Sequence, residues 1–179
     1  YKHSQKRQKI KDSQWALWCK NKKTVKEKEE IVIEAILTQQ TNWNNVEKAM
    51  NNLKKVKKDS LESIDKTSLK ELQKLIKPAG FYKIKSQYLK NLSHFFIKNG
   101  GIKNVEKIPT EKLRKELLQI KGVGPETADS ILLYVFNRPI FVIDVYTKRW
   151  VKDFKIPINN LSYTFLQTFF MKQLPKNFR

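Results

Sequence analysis

Cysteine is almost missing: Cys19 is the only one in 179 residues. One thiol cannot build a disulfide framework or a four-cysteine metal centre within this chain, and it fits a reducing cytoplasm. Long apolar runs are missing as well. No stretch of about 18 apolar residues occurs, which excludes a membrane-spanning helix. The basic start, YKHSQKRQKIKDSQ, leads into no uncharged apolar segment, so it is not a secretory signal. It opens on Tyr rather than Met, which fits a missing or processed start. Glycine is scarce, with five in the chain, and two of them stand at 122 and 124. There is no internal repeat and no long flexible linker. The aromatic-rich sheet or motif that an RNA-binding module would use is also lacking.

Acidic residues are the scarce charge. Lys and Arg number 37 against 17 Asp and Glu, a net charge of +20. This points to a polyanion: DNA, RNA or an anionic surface. A lysine-biased genome with solvated helix faces would give the same composition. Lysine dominates the cations, which favours sequence-independent phosphate contact over bidentate base reading.

What is abundant is helical period. Ile31, Ala35 and Ile36 share a face, as do Val46, Ala49, Met50 and Leu53. The pattern returns at Leu69, Leu72 and Ile76, and at Ile84, Tyr88, Leu92 and Phe95. It continues at Leu113 and Leu117, at Ala128, Ile131, Leu132 and Val135, and at Leu161, Phe165, Leu166 and Phe169. Spacers are short and several carry Pro or Gly. Asp65 or Thr67 is expected to open the helix of SLKELQKLI, and Thr110 the next. RPIFVI reads as an extended connection rather than a paired strand. The fold class is therefore all-α, built from many short helices.

Between Leu117 and Val135 a helix ends near Gln119 or Ile120, two glycines turn the chain, and Pro125 opens the next helix. This predicts a helix, a tight hairpin and a helix, with free N–H groups at a positive helix start, where a phosphate oxygen can bind. An ordinary αα turn with a glycine cap has the same spacing.

The stretch LLQIKGVGPETADSILLYV closely resembles the helix-hairpin-helix signature of the endonuclease III superfamily of DNA glycosylases. FVIDVYTKR resembles that family's aspartate segment, AILTQQTNW its early helix and loop, and KPAGFYKIKSQYLKNL its glycine-aromatic segment. Together they cover about residues 30 to 153. The resemblance implies a two-lobed fold with a cleft between lobes. A six-helix lobe would span 26–140, and both chain ends, 1–25 plus 141–179, would form the second.

It also implies site residues. Asp144 matches the catalytic carboxylate, which would stabilise positive charge on the sugar or orient water; by itself it could equally cap the helix that follows. Glu126 stands where bifunctional members carry a Schiff-base lysine, and a carboxylate cannot take that role. A monofunctional enzyme with a water nucleophile is expected, with no AP-lyase activity. Lys121 lies on the wrong side of the turn to replace that lysine. Gln40 matches the residue filling the gap left by a flipped nucleotide, and Phe81 a second wedge. Trp43, Trp15 and Tyr146 are expected with Glu126 at the base pocket, where an aromatic face suits a cationic alkylated purine; Trp18 is a further contributor, and core packing is the alternative for the tryptophans. Lys121, Gly122, Val123, Gly124 and Thr127 are expected to hold the DNA backbone. The carbonyls of Leu118, Ile120 and Val123 match a monovalent-cation position.

No cofactor is expected. The family's iron–sulfur cluster cannot form from Cys19, so the chain is either from the cluster-free 3-methyladenine branch, which suits Glu126, or truncated. The partner is expected to be double-stranded DNA with a damaged base, met by a monomer in the cytoplasm, nucleoid-associated if prokaryotic. The alternatives are an endonuclease III-like enzyme for oxidised or mismatched bases or uracil, and a non-catalytic DNA-binding protein.

Overall fold

The computed structural model describes residues 16–174, and within them the regular structure is entirely helical. Trp15, one of the expected pocket residues, lies outside the described residues. Helix α1 (Val25–Leu37) starts at a reciprocal cap: Glu27 N–H donates to Thr24 Oγ1 at 3.3 Å, and Thr24 N–H to Glu27 Oε2 at 2.6 Å. From Ile31 to Leu37 every residue of α1 is buried. A segment buried all round, here apolar except for Glu34, belongs in the middle of a fold. Accordingly α1 packs on α2 (Trp43–Lys55), α5 (Tyr82–Lys98), α6 (Ile102–Val105), α8 (Pro125–Ser130) and the π-helical turn Ile131–Val135 that continues α8.

The stripe on α2 is buried as its spacing predicts, through Val46, Ala49, Met50 and Leu53; each such side chain contributes roughly 1.5–3 kcal/mol. Helices α3 (Leu61–Lys66) and α4 (Leu69–Leu75) pack on α5, and α7 (Thr110–Leu118) on α8. The cap of α4 is Ser68, whose side chain accepts from Glu71 N–H. Asp65 instead falls inside α3 and Thr67 closes it. Thr110 is the first residue of α7, after Pro109.

Helix α5 departs from its expected phase. Ile84 is exposed, and the buried row is Lys85, Ser86, Leu89, Leu92, Ser93 and Phe96. An apolar-periodicity rule misses this row because three of its members are polar. RPIFVI is an extended connection without ladder partners, as its composition predicts.

Two cores result. The larger runs from Trp18 to Phe136. The smaller gathers Ile143, Val151 and Leu166 with Phe141, Tyr163 and Phe170, from the connection, α9 (Val145–Asp153) and α10 (Tyr163–Gln173). The larger core draws on helices from α1 to α8, among which short α3 and α6 carry too little period to register in the sequence. Leu17 and Trp18 pack with the larger core rather than with the smaller one. Among the described residues, no helix is long and apolar enough to cross a membrane.

Candidate active site and DNA-binding hairpin

The hairpin forms between α7 and α8. Gly122 takes φ +105, and a Cβ built there would sit 2.1 Å from Cγ of Tyr88 on α5. Only glycine meets both the dihedral and the contact. Gly124 is extended and serves as the cap of α8, ahead of Pro125. Two expected backbone contacts need correction. Val123 N–H is spent on Ile120 O at 2.9 Å, and its side chain is buried. Thr127 is buried too, with its hydroxyl accepting from Gln39 Nε2 at 3.1 Å. The loop-facing groups left are Gly122, Gly124 and the exposed Lys121. Of the three carbonyls matched to a cation, Ile120 O already accepts the Val123 N–H, and those of Leu118 and Val123 accept no hydrogen bond among the described residues.

Gln39 was missed by sequence reasoning. Its Nε2 donates to Gly122 O at 3.0 Å as well as to Thr127, so it ties the end of α1 to the hairpin. Its neighbour Gln40 is exposed and left-handed, at φ +50. Phe81 is also left-handed, at φ +43, follows Gly80 at φ +69, and is 63% exposed. A non-glycine residue in this region costs on the order of 1–3 kcal/mol and is held only where its surroundings dictate it. An exposed aromatic ring there suits a wedge rather than a core role.

Asp144 caps α9. Its Oδ1 accepts from Thr147 N at 2.7 Å and Thr147 Oγ1 at 2.8 Å, and Oδ2 has no hydrogen-bond partner among the described residues. The cap reading of this aspartate therefore holds, and it uses only one of the two oxygens. Glu126 lies in the first turn of α8. Its pKa is raised, first by partial burial of the carboxyl, then by the like charge of Asp144, with Lys148 opposing. Tyr134 responds to the same aspartate, its phenol raised by burial and then by the charges of Cys19 and Asp144. Glu126, Tyr134, Asp144 and Lys148 thus share one electrostatic neighbourhood.

An aromatic series leads away from it. The Tyr134 ring lies 5.1 Å from Trp18, and Trp18 meets Trp43 edge-on at 6.0 Å. Trp43 is half-buried and donates to Glu47 Oε1 at 3.2 Å. Trp18 is buried and acts as a backing layer, with Nε1 donating to Glu34 Oε2 at 2.6 Å. Tyr146 is 71% exposed beneath the Arg149 guanidinium, so its ring forms no part of this series. Tyr134 and Glu34 escaped the sequence reading; the signal was a polar atom inside each apolar run, ILLYVF and IVIEAIL.

Burial pushes the Glu34 carboxyl up to about 7, although the Trp18 hydrogen bond opposes the shift. A folded-state pKa above the unfolded one contributes stability that is full below about 4.5 and lost as pH rises through about 7. Glu34→Gln keeps an acceptor for Trp18 without the charge. Urea unfolding at pH 5 and pH 8 should show the wild type losing on the order of 2–3 kcal/mol relative to the variant at the higher pH; parallel behaviour would contradict this account of Glu34.

Asp129, fully buried on α8, joins the two cores. Arg114 of α7 donates to it through Nε at 2.7 Å and Nη2 at 3.0 Å. From α10, Tyr163 OH donates to Oδ2 at 2.8 Å and Gln167 Nε2 at 2.7 Å. Gln167 also donates to Phe141 O at 2.8 Å, and Tyr163 OH accepts from Ile143 N at 3.4 Å. The carboxylate thereby pins the connection that ends at Asp144.

Fold and site together define a helix-hairpin-helix protein with a helix-capping aspartate in the electrostatic neighbourhood of an exposed glutamate on the hairpin's second helix. The sequence profile of the HhH-GPD superfamily base excision DNA repair proteins matches residues 33–176. A protein of Methanocaldococcus jannaschii with the provisional name DNA repair glycosylase is 46% identical over 155 residues, covering 83% of this chain and 69% of that protein. Endonuclease III of Thermotoga maritima is 31% identical over 68% of this chain and 57% of its own length. The crystal structure of the H. pylori 3-methyladenine DNA glycosylase bound to 1,N6-ethenoadenine superposes with a TM-score of 0.75 at 30% identity, covering 91% of this chain and 74% of that one. The chain belongs to the HhH-GPD superfamily, the DNA glycosylases of base excision repair.

Proposed function

We propose that the protein is a monofunctional DNA glycosylase that flips an alkylated purine out of double-stranded DNA and hydrolyses its N-glycosidic bond with water. What supports this reading is the residue type at 126: an exposed glutamate, not an amine, stands in the first turn of α8, and its carboxyl feels the charge of Asp144. The C1′–N bond breaks with the electron pair leaving on the base, and positive charge grows on the sugar. The open oxygen of Asp144 faces that charge and takes the proton of the attacking water. Glu126 cannot form a Schiff base, so the strand stays intact. A purine made cationic by alkylation gains from the Trp43 face and is already a good leaving group. The hairpin holds the backbone through Gly122, Gly124 and Lys121, with the carbonyls of Leu118 and Val123 suited to a monovalent cation there. The protein works as a monomer and needs no other cofactor. The likeness to the H. pylori 3-methyladenine DNA glycosylase supports this substrate class for the present chain.

A second reading rests on Lys148, whose charge acts on the Glu126 carboxyl. It is the amine a lyase reaction would need. Duplexes each bearing one lesion (1,N6-ethenoadenine, 7-methylguanine, thymine glycol or uracil) separate the substrate classes. Free-base release from the alkylated purines is expected; release from thymine glycol or uracil alone would overturn the substrate assignment.

A further inference from the structure

The mechanism above leaves one buried charge unused. Lys85 of α5 is 2% exposed. Its ammonium donates to Leu37 O, the last residue of α1, at 2.8 Å, and to Ala79 O, just before Gly80, at 2.8 Å. Burial pulls its pKa down to about 8. A methionine or leucine would fill this row of α5 without the cost of desolvating a charge.

The two acceptors explain the choice. Leu37 lies three residues before Gln40, and Ala79 lies two before Phe81. Both Gln40 and Phe81 are left-handed and exposed. The two loops are far apart in sequence, yet one ammonium bonds the backbone of both. On the other side, Gln39 bonds the Gln40 loop to the hairpin through Gly122 O. Hairpin, Gln40 loop and Phe81 loop are thus linked in series by two side chains.

We infer that Lys85 is a positioning residue for base flipping: it sets the separation of the Gln40 and Phe81 loops so that both enter the opened duplex together. The inference rests on the reading of these two residues as wedges. A loose frame leaves each wedge free to move alone, and a shift of about 1 Å in such a constellation costs on the order of a hundredfold in a geometry-dependent step. Phosphate contacts at the hairpin do not pass through Lys85, so undamaged-duplex binding stays the same.

The test uses a duplex with a tetrahydrofuran abasic site opposite 2-aminopurine, whose fluorescence rises when the wedges unstack it. The protein is saturating, so affinity does not enter. Lys85→Met should cut the fluorescence rise by at least about fivefold, with Kd for undamaged duplex within about twofold. Lys85→Gln, which keeps one donor, should fall between Met and wild type. Gln40→Ala and Phe81→Ala should each reduce the signal. If neither does, the wedge reading itself fails. If both do and Lys85→Met matches wild type, the Lys85 inference alone fails. Failure of both Lys85 variants to fold would assign the residue to stability and also overturn it.

Discussion

Asp144→Asn should lower single-turnover base excision by at least about a hundredfold, the range for losing one preorganised group facing transition-state charge. Affinity for abasic duplex should stay within about threefold, because the phosphate contacts are elsewhere. The geometry makes this a clean substitution. Asparagine caps a helix as well as aspartate does. Its carbonyl oxygen can keep the position of Oδ1, accepting from Thr147 N and Thr147 Oγ1. Only the second oxygen and the charge are exchanged. A variant with wild-type excision would show that the aspartate is a cap alone. Quenched-flow kinetics with a gel readout measures the rate, and thermal unfolding verifies that α9 still forms.

Asp129→Ala should lower unfolding free energy by about 3–5 kcal/mol in urea titration, the usual loss when one partner of a buried ion pair is removed. Four donor groups on Arg114, Tyr163 and Gln167 converge on this carboxylate. Burial and the adjacent carboxylate hold the Tyr163 phenol above its ordinary range, so it stays a donor at all working pH. Removing Asp129 strands these groups between the two cores and frees Phe141 and Ile143, which lead to Asp144. A loss below about 1 kcal/mol would mean that water replaces the carboxylate and that the network is peripheral.

The hairpin was readable because its residues are locally diagnostic. Two glycines announce a turn, though only Gly122 takes a positive φ while Gly124 is extended, and Pro125 announces a helix start; Asp144 was singled out by family resemblance, and the structure shows it as a helix cap. The face of α2 was readable for the same reason, since apolar period alone decides it, whereas α1 is buried all round from Ile31 to Leu37. The rest was hidden where long-range polar contacts override local pattern. Lys85 and Ser86 occupy the buried row of α5, and a rule that counts apolar residues put Ile84 there instead. Gln39 and Gln40 look alike in sequence; only the fold shows that one bonds the hairpin and the other faces solvent. Thr127 reads as a phosphate ligand until Gln39 takes its hydroxyl. Short α3 and α6 have too few residues to show a period.

A carboxylate at Glu126 is expected to direct the reaction to water. The direct measurement is single-turnover cleavage of an alkylated-purine duplex, split between alkali and no treatment, with a parallel sample quenched in borohydride. The account predicts intact strands without alkali, complete breaks after it, and no protein–DNA adduct. Breaks without alkali together with a borohydride-trapped adduct would contradict it, and loss of that adduct in Lys148→Ala would name the amine responsible.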